Sequence, residues 1–376
     1  MTPALSILLA GLTVFSLCPA PGFASGSALE LVVTQQLDHA VLTTRTPGAE
    51  GNKYGFEGGS VRKVHGVYHM FTSEMVGDPE WVKMKLGHWV SPDAIHWTRR
   101  GTVYESSGDY TGTDPRAALW APMPVFNTKQ NRWELFYVAY RCAPDTPKQW
   151  LNNTDGQIWR AVSTIRGADG IDGPYQDVGV ILKPGSDSDS WEGLQGTDSF
   201  FPYQVGNTWY GFYGSAHTEA LPISSWDVGL AKAPSLAGPW TRVTALNPLK
   251  IEGKFIENPI VTRLQDGTYL AVYDTDVAYA IGYTVSTDGV HWSAGQHLIV
   301  QKDNGVWASD IRTPLGLVPE GKDSFTLLYT AFEKSSGAPA AGKNMPGTAA
   351  VGMVKVQLRH GAKGTPEGAK AGNEQR

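Results

Sequence analysis

Three carboxylates occupy matching places in this sequence: Glu57 in Phe-Glu-Gly-Gly, Asp198 in Gly-Thr-Asp-Ser-Phe-Phe and Glu257 in Ile-Glu-Asn-Pro. Each opens a segment that crosses a polar turn and returns rich in aromatic residues. Two further segments of the same kind open on Trp120, with Arg116 just before it, and on Arg312, with Asp310 just before it. If the five openings converge, three acids, an aromatic plate and one or two guanidinium groups share one centre. Like charges gathered in a funnel oppose each other's ionisation, so such a centre is costly without a partner. Cleavage of a glycosidic bond uses that cost. One carboxylic acid stays protonated and gives its proton to the leaving oxygen, while another is ionised and activates water or attacks the anomeric carbon. Glu257, set between Phe255-Ile256 and Pro259-Ile260, has the apolar surroundings that raise an acid's pKa. Each residue also has a plain structural alternative: backbone hydrogen bonds at a strand start for Glu257, a turn at Gly196-Thr197 for Asp198, and a loop salt bridge for Glu57. Asp114 in Thr-Asp-Pro-Arg competes with Glu57 but also reads as an ordinary turn.

The elements that would bring these residues together recur five times. Hairpins are expected over 58–71, 121–140, 198–214, 257–274 and 312–332, with turn signals such as Asn207 and Asp266-Gly267. A third strand of small and apolar residues follows each hairpin, then a fourth carrying an aromatic residue, for which Trp97, Tyr175, Trp240 and Trp292 are the markers. Four strands per repeat make a blade, and radial repetition of blades leaves only short sheet edges. The predicted fold is therefore all-β, a five-bladed β-propeller over 29–358. Its fifth blade runs out after a third strand at 349–358, and the alternating segment 29–37 supplies the missing strand and closes the ring. Two stacked β-sandwiches are the competing fold, but they leave the fivefold hairpin unexplained.

Composition agrees with short strands and many turns: 43 Gly and 24 Pro accompany 13 Trp, 15 Tyr and 12 Phe in 376 residues. With 31 Lys+Arg against 36 Asp+Glu the net charge is −5, and no basic block suits a nucleic acid or an anionic membrane. Residues 1–25 read as a signal peptide, with an apolar run from Leu5 to Leu17 that is too short to span a bilayer. The expected location is secreted or periplasmic, with lipid anchoring through Cys18 the lesser alternative. The mature chain then keeps a single thiol, Cys142, so no disulfide staples the fold. Residues 359–376 lack apolar periodicity and read as a disordered tail. Oligomeric state leaves no signal.

The repeat architecture and its opening residues resemble glycoside hydrolase family 43, a five-bladed propeller family, and more distantly family 32. Trp120-Ala121-Pro122 matches that family's second-blade Trp-Ala-Pro, Asp198-Ser199-Phe200-Phe201 its third-blade Asp, and Glu257-Asn258-Pro259 its Glu-x-Pro. The turn Ser286-Thr287-Asp288-Gly289-Val290-His291-Trp292 matches a propeller turn that recurs more loosely from Ser91 to Trp97, so His96 and His291 read as structural. The resemblance implies Glu257 as general acid, Asp198 as the group tuning it, and Glu57 as general base. Here Glu57-Gly58-Gly59 stands where the family has Asp-Pro. It also implies an exo-acting, inverting hydrolase of arabinofuranosyl or xylosyl groups on an oligosaccharide or polysaccharide. Inversion needs carboxyls about 6.5–9.5 Å apart, and retention about 5–5.5 Å.

Arg312, Arg116, Asp310, Trp120 and His217 are expected to hold the sugar, Trp120 by stacking on a ring face. No cofactor is required. No zinc or EF-hand spacing is present, while the resemblance allows a structural cation in the central channel. A non-catalytic glycan-binding propeller and a glycoside phosphorylase are the alternatives, the latter needing several basic groups for phosphate. Pocket or groove depends on the long loops 142–157 and 215–227.

Overall fold

Turn residues break the chain into twenty strands and one 3-10 turn among the described residues of the computed structural model, which are 29–301, 307–334 and 348–361. The expected signal peptide lies outside the described residues, as does all but the first part of the expected tail. Leu31–Leu358 form one compact unit.

After β1 (Leu29–Gln36) come β2 (Gly55–Val64), β3 (Val67–Gly77), β4 (Lys83–Ser91) and β5 (Thr98–Glu105). A second group holds β6 (Ala118–Asn127), β7 (Arg132–Arg141), β8 (Thr154–Arg166) and β9 (Tyr175–Leu182), with the 3-10 turn Ala168–Asp172 between its last two strands. The third comprises β10 (Asp198–Val205), β11 (Thr208–Ala216), β12 (Trp226–Ala233) and β13 (Thr241–Arg242). The fourth comprises β14 (Ile256–Arg263), β15 (Tyr269–Thr275), β16 (Ala280–Ser286) and β17 (Gln296–Ile299). The last strands are β18 (Ala308–Pro319), β19 (Ser324–Glu333) and β20 (Ala349–His360), so β20 runs two residues into the stretch read as tail.

Groups two, three and four are separate four-stranded antiparallel sheets in chain order. The remaining strands form one eight-stranded sheet, in which β18-β19-β20 joins β2-β3-β4-β5 through a single parallel pair, Gly55 with Ala349. β1 pairs with β20 and completes a fifth set of four. The sheets do not merge into one closed sheet. Instead the opening strands touch in cyclic order, β2 against β6 and β18, β10 against β6 and β14, and β14 against β18.

Both faces of a sheet set between two others must be apolar, and β3 reads that way: Met70 and Phe71 point to opposite faces, and both are fully buried. Met70 packs with Leu315, Leu328 and Met353 of the fifth group, whereas Phe71 packs with Leu119, Leu135 and Tyr137 of the second. The markers expected on fourth strands fall elsewhere, except Tyr175, which begins β9. Trp97, Trp240 and Trp292 sit in the turns before β5, β13 and β17. The turn itself places them. Ser91 Oγ accepts from Ala94 N at 2.9 Å and Asp93 Oδ1 from His96 N at 2.9 Å, while Ser286 and Asp288 repeat the pattern on Gly289 and His291 at 2.8 Å each. The tight turn tucks the indole back, and Trp97 Nε1 donates to Ala94 O at 3.2 Å. His96 and His291 each cap the Asp of their own turn at 2.7 Å, the structural role expected.

Each opening strand carries a β-bulge where chemistry was anticipated. Pairing is interrupted after Glu57, Trp120, Asp198 and Glu257, and the next residue takes a positive φ: Gly58 63°, Ala121 50°, Ser199 53° and Asn258 52°. A bulge adds a residue, bends the strand and re-aims the side chains beside it. In β2 the bulge continues into Gly59, at φ 124°, where a Cβ would lie 2.0 Å from Phe71 O. Gly59→Ala therefore has no relaxed conformation, and a loss of more than about 2 kcal/mol by urea denaturation is expected, against a few tenths for an alanine at the open Gly66 turn beyond its own φ penalty.

Candidate active site

The bulges aim their preceding side chains into one cavity of about 720 Å³, lined by Glu57, Trp120, Asp198, Glu257 and Arg312. Three bonds lace its floor. Asn258 Nδ2 donates to Thr313 Oγ1 at 3.4 Å, Thr313 Oγ1 donates to Glu57 Oε1 at 2.6 Å, and Ser73 Oγ accepts from Ala121 N at 2.9 Å, so residues from four strand groups are held in register.

Arg312 is the hub. Its Nε lies 3.8 Å from Glu57 Oε1, and its Nη2 lies 4.0 Å from Glu257 Oε2 and 3.6 Å from Asp274 Oδ2. By strand register the residue equivalent to Trp120, Asp198 and Glu257 is Ile311, paired with Ala331, and Arg312 lies within the bulge one residue on. The long side chain makes up the offset. Burial opposes the guanidinium charge, but Asp274, Glu57, Glu257 and Asp310 together hold its pKa above the ordinary value.

Glu57, Asp198 and Glu257 are each less than a tenth exposed. Burial raises Glu57 against the pull of Arg312 and the Thr313 hydroxyl. Glu257 rises well above the usual carboxylate range, first through burial and next through the negative charge of Asp198, with Arg312 opposing. Asp198 accepts Ser199 N at 2.6 Å on Oδ1 and Gln195 Nε2 at 3.2 Å on Oδ2. Asp274 faces Glu257 across the β14–β15 pair, and burial pushes it up to about 7 despite Arg312. The arrangement raises the proton affinity of Glu257 beside the hydrogen-bonded Asp198, the direction that general-acid work requires. Glu57 Oε2, Trp120 Nε1 and Gln195 Oε1 are buried on the wall without a partner in the protein, which marks them as contacts for a ligand.

An aromatic arc also lines the cavity. Trp81 stacks on Trp120 at 5.3 Å and 28°, Trp150 meets Trp81 edge-on at 6.4 Å, Trp226 follows at 5.7 Å and Phe255 at 5.9 Å, and the Arg312 guanidinium sits 5.9 Å over the Phe255 ring. The two long loops are tied together, Trp150 N to Thr218 O at 3.0 Å and Leu221 N to Lys148 O at 2.9 Å, and bring Trp150 and Ile223 to the rim.

Three expected sugar contacts, Arg116, His217 and Asp310, do not line this cavity. Arg116 turns away to Asp177 at 2.6 Å and lies over the rings of Tyr104, Tyr137 and Trp159, because its turn precedes β6 on the outer side of that strand. His217 pairs with Glu219 at 2.5 Å in its own loop. Asp310 is exposed beside the hub and contributes charge to Arg312. Asp114 caps its own turn, accepting Arg116 N at 2.8 Å. Asp274, Thr313, Tyr140, Trp81, Trp150 and Trp226 escaped sequence reasoning, since none opens a repeat. The position of Asp274 directly after the aromatic run of its hairpin was the one available signal. Arg312 supplies a positive charge between Glu57, Glu257 and Asp274.

No protein-family model and no curated protein sequence matches this chain. Solved structures do. A family 117 glycoside hydrolase of the marine bacterium Zobellia galactanivorans superposes with a TM-score of 0.56 at 13% identity, over 89% of this chain and 90% of that one. A thermostable family-43 glycoside hydrolase gives 0.51 at 16%, over 89% and 100%. An α-L-arabinofuranosidase from Lactobacillus brevis gives 0.53 at 12%, over 80% and 91%. At these identities the likeness is one of fold, and this chain has a family 43-like propeller fold.

Breaking a buried ion cluster at its cation leaves uncompensated carboxylates, which costs about 3–5 kcal/mol. Asp274, pushed up to about 7, binds a proton at pH 5 and loses it by pH 8, and Glu257 is raised in the same direction. Arg312→Met is therefore expected to destabilise the chain strongly at pH 8 and much less at pH 5, as read by urea denaturation at the two pH values.

Proposed function

We propose that this protein is an exo-acting, inverting glycoside hydrolase with Glu257 as general acid, Glu57 as general base and Asp198 as the residue that tunes the acid. The observation that carries this reading is the meeting of three buried carboxylates at one cavity, with the proton affinity of Glu257 raised by burial and by Asp198. We take the five strand groups as five blades whose ring closes through β1, a reading supported by the cyclic contacts of the opening strands. We also take the chain as secreted or periplasmic, on the sequence of its first 25 residues.

In this mechanism the Glu257 hydroxyl gives its proton to the glycosidic oxygen as the bond to the anomeric carbon breaks. Glu57 takes a proton from the water whose oxygen forms the new bond from the opposite face. The guanidinium between Glu57 and Glu257 holds the carboxyls apart, which supports a water-spanned pair over a nucleophile in direct reach. Six carboxylates line the cavity (Glu57, Asp78, Glu80, Asp145, Asp198, Glu257) against one cation, Arg312, which disfavours anionic sugars and the phosphate a phosphorylase would hold. The stacked indoles suit the apolar faces of a neutral sugar. Arabinofuranosides and xylosides are the first substrates to try, in keeping with the arabinofuranosidase among the similar folds.

A panel of aryl glycosides and plant oligosaccharides tests the reading. Wild type is expected to turn over at least one neutral glycoside, and Glu257→Gln and Glu57→Gln to lower kcat by about 10²–10⁴-fold. Proton NMR of the first-formed anomer should show inversion. Sugar binding without turnover, or full activity in both variants, overturns the reading, and dependence on phosphate would identify a phosphorylase.

The pH profile is a separate check. Activity should persist above the ordinary carboxylate range and fall as Glu257 loses its proton. Asp198→Asn removes the negative charge that raises Glu257, so the basic limb of kcat/KM moves to lower pH. Trp150→Ala, at the rim, is expected to raise KM about tenfold with a smaller change in kcat, as the loss of an aromatic contact worth about 0.5–1.5 kcal/mol plus its buried area predicts.

A further inference from the structure

The outer seam between the first two strand groups holds a cluster that the sugar chemistry does not use. His69 on β3 and His88 on β4 are diagonal neighbours on one face of the sheet, since His88 pairs with Phe71 and His69 with Val90. Their rings stack at 5.3 Å and 24°, Phe71 covers the second ring at 4.2 Å, and both imidazoles are more than nine-tenths buried. Asp172, which ends the 3-10 turn Ala168–Asp172 of the second group, faces them.

The three donor atoms form a triangle. His69 Nδ1 lies 3.2 Å from His88 Nε2 and 3.4 Å from Asp172 Oδ1, and His88 Nε2 lies 3.9 Å from that same oxygen. Zinc bonded at about 2.0–2.2 Å to nitrogen and oxygen in a tetrahedron sets its donors roughly 3.3–3.5 Å apart. One proton between the imidazoles would satisfy one edge of this triangle, whereas a central ion satisfies all three corners.

We propose that His69, His88 and Asp172 bind one zinc ion, with the fourth coordination position open to the 370 Å³ cavity lined by His88, Arg100, Asp172 and Tyr175. Two imidazoles and one carboxylate suit zinc rather than calcium or magnesium, which take oxygen donors. Arg100 faces the same carboxylate, with Nη2 3.5 Å from Asp172 Oδ2, and so fixes the outer oxygen while Oδ1 points inward. His65 contacts Asp169 at 3.7 Å further out on the turn. Bound zinc would tie the β3–β4 hairpin of the first group to the turn of the second, a cross-link that helps hold two packed sheets together. The spacing 69, 88 and 172 matches no linear zinc signature, which is why the sequence gives no sign of it.

The test uses the tag-free full chain, freed of metal by dialysis against chelator and titrated with zinc chloride, with calcium chloride as a control. About one zinc per chain is expected by calorimetry and by metal analysis, with four-coordinate absorption bands on cobalt substitution and a Tm that rises with free zinc. Asp172→Asn, on a partly exposed turn that tolerates the change, should weaken zinc binding by roughly tenfold or more and abolish the Tm rise, as should His69→Gln. Glu257→Gln should bind zinc as wild type does, whatever its effect on sugars. Absence of stoichiometric binding in wild type, or unchanged binding in both Asp172→Asn and His69→Gln, overturns the proposal.

Discussion

The guanidinium of Arg312 is the group on which the rest of the cavity depends. Glu57, Glu257 and Asp274 are all buried within about 4 Å of it, and without that charge the protein could keep them folded only by protonating them. Balance rather than neutralisation results. Three acids around one cation leave a surplus of negative charge, and burial turns the surplus into raised proton affinity, greatest where Asp198 adds a fourth carboxylate beside Glu257. The same contacts that stabilise the floor thus raise the proton affinity of one acid above the others.

Bulges give that cluster its geometry. In a regular strand, successive side chains alternate between faces that are both packed against neighbouring sheets, so an acid on such a strand would be buried among Leu and Phe. The extra residue after Glu57, Trp120, Asp198 and Glu257 frees the side chain to point along the axis on which the opening strands meet. The cost falls on residues that tolerate positive φ, two of which, Gly58 and Asn258, are of the types that do so most readily.

Away from the axis, acid and base pairs reach the outer strands of the sheets. Glu74 joins Arg99 and Trp89 in the first group, Glu192 joins Arg242 and Tyr213 in the third, and Glu252 joins His297 and Tyr273 in the fourth. The second group uses Asp177, which ties Tyr137 to Arg116. That last pair explains why Arg116, although it precedes an opening strand, serves the packing between groups and leaves Arg312 as the cation at the cavity.

Much of this was legible in the sequence because it is written as local repetition. Hairpins announce themselves through turn residues and aromatic alternation, so Glu57, Trp120, Asp198 and Glu257 could be named from their places at the openings of the repeats. The S-x-D-x-x-x-W turns were equally local, although spacing alone put their indoles on the fourth strands when the turn holds them just before. What spacing could not supply was the meeting of residues far apart in the chain. Asp274 and Thr313 enter the site through cross-strand and cross-group contact and Trp81, Trp150 and Trp226 through loops tied to one another, while His69, His88 and Asp172 meet at the outer seam through the packing of one sheet on the next. The sequence by itself determined the strands, the turns and the acids at their openings, since backbone geometry depends on near neighbours. Tertiary structure alone decided which charge balances which and which groups share a proton or an ion, because those energies depend on burial and on distances of a few ångströms between residues on different strands and different sheets.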